Sequence, residues 1–192
     1  IYKARRDILQ GDGGDEPVLD MLEDMVIAVV DSYVHEGLDR NDWDLEGLSA
    51  GLKDQFNLDF DVSDMQAADR LSPDEVQERV WGAAEGAWKA RCASLDELAE
   101  AINERHADDP NFKKRTGLVL MLEVVRDIWL EEIDRRWREH LQAMDHLREG
   151  IHLRGYAQKD PKKEYAKEGF DLFSAMMDTI KANVLNVLFR VQ

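Results

Sequence analysis

Apolar residues recur every three or four positions through most of this chain, the spacing of one face of an α-helix. The longest stripe runs Leu118, Leu122, Val125, Trp129, Ile133, Trp137, Leu141, Met144, Leu147 and Ile151. It predicts a single helix of about nine turns, far longer than an average globular helix. A second stripe runs Phe173, Met176, Met177, Ile180, Val184, Val187, Leu188 and Val191. Between them lies a turn near 153–161 carrying Gly155 and Pro161. Two long helices joined by a short turn pack antiparallel, each apolar face covering the other. Trp129, Ile133, Trp137, Leu141, Met144, Phe173, Met177 and Ile180 are therefore read as hairpin packing residues.

Upstream, the pattern is shorter and more broken. Residues 1–10 read as the tail of a helix, and the glycines at 11, 13 and 14 end it. Asp15 and Pro17 then start a helix with a stripe of Val18, Leu22, Met25, Val26, Val29, Val30 and Tyr33, and Gly37 is its expected stop. Leu45 to Phe56 is a short amphipathic helix. Ser72-Pro73-Asp74-Glu75 has the form of a capping box and opens a helix through Val80, Trp81, Ala84 and Trp88. Ser94-Leu95-Asp96-Glu97 reads as a second box, opening a helix with Leu98 and Ile102 that ends by Asp108-Asp109-Pro110. Only Phe56 to Val62 reads as extended. A loosened start to the last helix is expected at Gly169. The predicted class is all-α: a long scaffold helix, a helical hairpin and a small helical subdomain.

Charge sharpens this picture. The 192 residues carry a net charge of −16, spread unevenly. Residues 1–40 hold 4 basic and 10 acidic side chains, 41–116 hold 9 and 18, and 117–192 hold 12 and 13. An acidic body argues against general nucleic-acid binding, which needs a basic face to release counterions. Around the hairpin turn the balance reverses: Arg148, Arg154, Lys159, Lys162, Lys163 and Lys167 face three acids, Glu149, Asp160 and Glu164. That tip suits an anionic surface, such as lipid headgroups or an acidic protein loop, although on charge alone a solvated turn is the simpler reading. No apolar run approaches the roughly 18 residues that span a bilayer. The single Cys92 excludes an intramolecular disulfide and suits a reducing compartment. The chain opens on Ile1 rather than Met and reads as begun inside a helix of something longer.

Chemistry-bearing motifs are sparse. There is no phosphate-cradling Gly-rich loop ending in Lys-Ser/Thr and no dinucleotide fingerprint. Glu149 and His152 have the spacing of one di-iron ligand pair, but such a site needs two pairs and further glutamates. His140, His146 and His152 are six apart and do not share a helical face. Asp42-x-Asp44-x-Glu46 imitates the start of a calcium loop, and Lys53 stands where its bidentate Glu belongs. Glu131 and Glu132 read as solvated neighbours, with Glu132 and Arg136 an ordinary helical pair. No catalytic residue, bound cofactor or metal ligand is expected. What remains is a projecting turn bearing Tyr156, an aromatic that reads equally as a buried anchor or as an exposed contact. A free-standing helical adaptor, with the hairpin as docking arm, is the alternative reading of such a scaffold; a metal enzyme in the bundle is a weaker third.

The run Trp137-Arg138-Glu139-His140-Leu141-Gln142-Ala143-Met144-Asp145-His146-Leu147-Arg148-Glu149-Gly150-Ile151-His152-Leu153-Arg154-Gly155-Tyr156-Ala157-Gln158-Lys159-Asp160-Pro161-Lys162-Lys163-Glu164-Tyr165 closely resembles the two-helix finger of SecA, the bacterial preprotein translocase ATPase. The likeness continues through Phe170, Phe173, Ala175-Met176-Met177 and Val191-Gln192, and weaker traces lie at Tyr2-Lys3, Arg5-Arg6, Asp31, Tyr33, Trp43-Asp44 and Gly47-Leu48. The resemblance implies three parts: 1–40, first part of a helical scaffold; 41–116, a helical wing; 117–192, the second part of the scaffold with the finger. It implies a parent motor that uses ATP and Mg to drive unfolded preproteins through the SecY channel. The finger-tip residues Arg154, Gly155, Tyr156, Ala157, Gln158 and Lys159 would meet the moving chain, and the hairpin would restrain the ATPase. The implied partners are the SecY complex, the preprotein, the parent's motor domains and an anionic lipid surface, with a homodimer of the parent. The implied location is the bacterial cytoplasm, peripherally at the inner membrane. This stretch itself, lacking the nucleotide-binding domains, would catalyse nothing and hold no cofactor.

Overall fold

A computed structural model describes residues 14–35, 37, 39–67, 71–154 and 160–190; the side chains of 66, 67 and 152–154 are also outside that description. Seven α-helices are described: α1 Glu16–Asp31, α2 Leu45–Phe56, α3 Ser63–Ala67, α4 Pro73–Ser94, α5 Asp96–Arg105, α6 Gly117–Arg154 and α7 Pro161–Arg190. One 3-10 turn, Arg40–Asp42, precedes α2. The described residues include no strand. The protein is all-α, with a 38-residue α6 packed along a 30-residue α7.

The core forms where the apolar stripes meet. From α1 come Val18, Met21, Leu22, Val26 and Val30, continued by Val34; α2 adds Leu48, Leu52 and Phe56; α4 adds Val76, Val80, Ala84 and Trp88. Against them lie Ile180, Val184, Leu185, Leu188 and Phe189 of α7. Phe56 and Phe189 meet edge to face at 5.6 Å between centroids, so the end of α2 is packed on the end of α7.

Several helix ends differ from expectation. Asp15 precedes α1, but its side chain does not cap it. Instead its carboxylate accepts a 2.9 Å hydrogen bond from Trp88 Nε1, giving a fully buried indole its polar partner. Helical bonding of the α1 segment ends at Val34, whose N–H donates to the Val30 carbonyl at 2.8 Å, three residues before Gly37. There Tyr33 turns its ring over α2. A Cβ on Gly47 or Gly51 would sit 2.9 or 3.0 Å from that ring, so these two glycines let the helix approach. The Ser72 box forms as expected: Ser72 Oγ accepts from Glu75 N at 3.2 Å, and Glu75 Oε2 accepts from Ser72 N at 2.8 Å. The Ser94 box does not form. Ser94 is the last residue of α4, and its hydroxyl donates back to the Arg91 carbonyl at 2.7 Å.

Phe56 to Val62 is not a strand. Asn57 takes a left-handed conformation (φ 50°) and closes α2, and the following segment is pinned by Ser49 Oγ donating to the Phe60 carbonyl at 2.7 Å. The loop after α5 is tied back rather than free. Asn103 and Arg115 exchange two 2.8 Å hydrogen bonds, and Asp96 Oδ1 accepts from Gly117 N at 2.9 Å. Those bonds aim the start of α6.

Candidate interaction site: the helical hairpin

At 1.5 Å per residue, α6 and α7 are rods of roughly 57 and 45 Å. The inner end of α7 is held from three sides. Lys181 pairs with Asp24 of α1 at 2.5 Å. Gln55 of α2 donates to the Ala182 carbonyl at 2.8 Å, while Asn186 donates to the carbonyls of Asp54 and Gln55 at 2.8 and 3.3 Å and Arg190 to that of Asp54 at 2.6 Å. The last carbonyls of a helix lack partners within it, so α7 satisfies the end of α2 as it docks. Arg91 of α4 donates to the Phe189 carbonyl and lies over its ring, 5.5 Å from the centroid.

Farther out the two rods pack on each other. Ile133 and Ile180 are buried, with Trp129, Trp137, Phe173 and Met177 packed beside them. Met144 meets Gly169: a Cβ there would lie 3.0 Å from the Met144 methyl. Gly169 therefore does not loosen α7, which runs unbroken through it; it marks a close approach of the rods. Ile151 is buried near the outer end.

Leu141 departs from the expectation. It is 47% exposed, and His140, at 9%, takes the inward place. His140 stacks on Trp137 at 5.3 Å and meets Phe173 edge-on at 5.9 Å. The reason is helical drift: successive steps of four advance 400° rather than 360°. By 141 the run through 125, 129, 133 and 137 has rotated off the seam, and a step of three to 140 returns to it. Burial among rings pushes the His140 pKa below its ordinary value.

Glu132 is the second correction. It is only 8% exposed, not solvated. Its carboxylate accepts from Asn183 Nδ2 across the hairpin, from Arg135 at 2.6 Å and from Arg136 Nε at 3.4 Å. Burial raises the carboxyl pKa, but the hydrogen bonds from Asn183, Arg135 and Arg136 outweigh it and the net shift is downward. Periodicity missed Glu132 and His140 because it assigns polar residues outward by default. Their only sequence signal is that both fall on the inward phase of the stripe.

Arg154 closes α6. Its side chain and the residues Gly155, Tyr156, Ala157, Gln158 and Lys159, the expected contact tip, lie outside the described residues, as does the side chain of His152. The cations flanking the tip are exposed: Arg148, paired with Asp145 at 3.1 Å, and Lys162, Lys163 and Lys167. Phe170 is 68% exposed on the same outer half of α7. Asp160 Oδ1 accepts from Lys162 N at 3.0 Å as Pro161 opens α7. Cys92 is buried, its thiol pushed up to about 11 by burial, and is a packing residue. Among the described residues no group of His, Cys, Asp and Glu could hold a metal ion, and no helix is long and apolar enough to cross a membrane.

An acidic all-helical body thus carries a long hairpin braced at its inner end, with cations around its far end. That architecture defines a helical scaffold with a projecting arm. Residues 1–192 match the SecA Wing and Scaffold domain over their whole length, and the chain belongs to that family. Similar proteins include the protein translocase subunit SecA of Syntrophus aciditrophicus, 39% identical over 192 residues, covering 100% of this chain and 20% of that protein. The protein translocase subunit SecA of Paraburkholderia xenovorans is 35% identical over 193 residues, covering 100% of this chain and 18% of that protein. That of Burkholderia ambifaria (strain MC40-6) is 34% identical with the same coverage. The chain spans about a fifth of the length of these relatives.

Proposed function

We propose that this chain is the scaffold-and-wing part of a SecA-type motor that moves unfolded preproteins through a SecY channel, with the hairpin as the element that meets the moving polypeptide. Residues 1–40 and 117–192 act as scaffold and 41–116 as wing. The observation that carries this reading is the braced hairpin. Two long rods, tied at the inner end to α1, α2 and α4, pack along each other out to Arg154 and Pro161, the ends between which the expected contact residues fall in sequence. A tyrosine on a glycine-flanked turn can pack on varied side chains without demanding one sequence.

ATP and Mg belong to motor domains elsewhere in the parent, and this part transmits and restrains their work rather than performing catalysis. The exposed cations beside the turn suit the channel mouth or an anionic lipid surface, at the cytoplasmic side of a bacterial inner membrane. Homodimerisation belongs to the parent protein.

The test is a photocrosslinking probe at Tyr156 during translocation by the reconstituted parent. Adducts with preprotein or channel are expected, and their absence would remove the contact role. Tyr156→Ala is expected to leave the helical circular dichroism and melting temperature of the parent unchanged while reducing transport severalfold. Equal loss of helicity and transport would make the tyrosine structural.

A further inference from the structure

Between the braced root of α7 and the Met144–Gly169 contact, the apolar faces of α6 and α7 say little about register. Val125, Trp129, Ile133 and Trp137 share one core with Met176, Ile180, Val184 and Leu188, large apolar residues repeating every three or four positions. Burial of such surface is non-directional, and a slip of one helical turn again sets apolar against apolar. Glu132 is different. Its carboxylate sits 8% exposed in that seam, and a buried charge is tolerated only where donors meet it.

We propose that Glu132 and Asn183 form a polar latch that fixes the register of the hairpin, and through it the reach of the tip. Arg135 and Arg136 sit on the same helix as Glu132 and follow it in any register. Asn183 is the donor that α7 contributes. A slip of one turn brings Thr179 or Ile180, or Asn186 or Val187, to its place. Ile180 and Val187 have nothing to donate. The Thr179 hydroxyl already donates to the Ala175 carbonyl at 2.7 Å. Asn186 already serves the carbonyls of Asp54 and Gln55, and moving it strips both. Each slipped register therefore leaves a buried acceptor short of a partner. Single buried polar residues set register in paired helices elsewhere by the same exclusion. Glu132 and Asn183 are positioning residues; the hydrogen bonds described for their side chains stay within the hairpin. The latch stands whether or not the tip meets a polypeptide.

The experiment measures distances between spin labels on the full parent protein, at the exposed positions Glu131→Cys on α6 and Lys163→Cys on α7. The native latch should give one narrow distance. Replacing both partners, Glu132→Leu with Asn183→Leu, should hold or raise the melting temperature, because an apolar pair replaces a buried charge. It should also add a second distance displaced by about 5 Å, one helical pitch. Asn183→Ala, which keeps Glu132 with its own arginines, should show the second distance as well. Glu132→Gln keeps an acceptor for Asn183 and should retain the single distance. One native distance in both the double variant and Asn183→Ala overturns the proposal; if the double variant does not fold, Asn183→Ala alone decides.

Discussion

His140 and Glu132 are the two buried side chains among the described residues that titrate on the acid side of neutrality, and they give the hairpin an acid limit. His140 is lowered from 6.5 by burial, so the unfolded chain binds its proton first. Its contribution to stability is complete above about pH 6.5 and is lost as the pH falls from there through the folded value. Glu132 is lowered from 4.5, so its contribution persists to more acid pH and disappears below that value. Glu75, whose carboxylate accepts from Ser72 N, adds to the same lower limb. Melting temperature measured against pH should therefore fall in two stages, the first beginning below about pH 6.5. His140→Phe should flatten the first stage and leave the second in place. A profile unchanged by that substitution would mean that His140 does not titrate differently in the folded and unfolded chain. Neither residue was legible by type: a histidine and a glutamate in a charged helix read as surface. What decides their fate is the partner that α7 brings, and Asn183 lies 51 positions from Glu132.

At the scale of elements the apolar period served well where local rules govern. The stripe from Leu118 to Ile151 matches α6 at Gly117–Arg154, and Leu45–Phe56 and the Ser72 box lie where spacing and capping put them. Leu141 failed because a stripe counted in steps of four drifts around the helix, and Ser94 failed because α4 simply continues through it. Gly169 was misread for a third reason, since a glycine's role depends on a neighbouring element. Gly169 and Gly117 both look like helix weaknesses, yet the neighbours differ. At Gly169 a Cβ meets the flexible end of Met144 at 3.0 Å; at Gly117 it would meet the Cys92 carbonyl at 2.1 Å, which is backbone. Gly169→Ala should therefore stabilise by up to about 1 kcal/mol, the helix-propensity gain, since the methionine can turn aside. Gly117→Ala should cost about 1–3 kcal/mol, the usual range for overpacking a site that cannot yield. Urea midpoints of the two variants test the pair, and equal shifts in one direction would show that propensity alone governs both.

For the whole molecule, the junction that matters is the one no local pattern contained: the end of α2 seated on the inner end of α7. Gln55, Asn186 and Arg190 make it from residues more than 100 positions apart, and Phe56 on Phe189 seals it. Because Asn186 and Arg190 take the last carbonyls of α2, the segment expected to be the wing and the hairpin root share their hydrogen bonds. A displacement of the hairpin must then either carry α2 along or break those bonds. Asn186→Ala tests this. It removes the donor to Asp54 and Gln55 but leaves Arg190 in place, so the loss should be that of an ordinary hydrogen bond, about 0.5–1.5 kcal/mol. If the two elements open together, hydrogen exchange should speed by about 2- to 13-fold at both the last turn of α2 and residues 180–190, following that free energy. Acceleration confined to α2 would mean that the root of the hairpin stays shut when α2 lifts, and that α2 rides on the arm without being coupled to it.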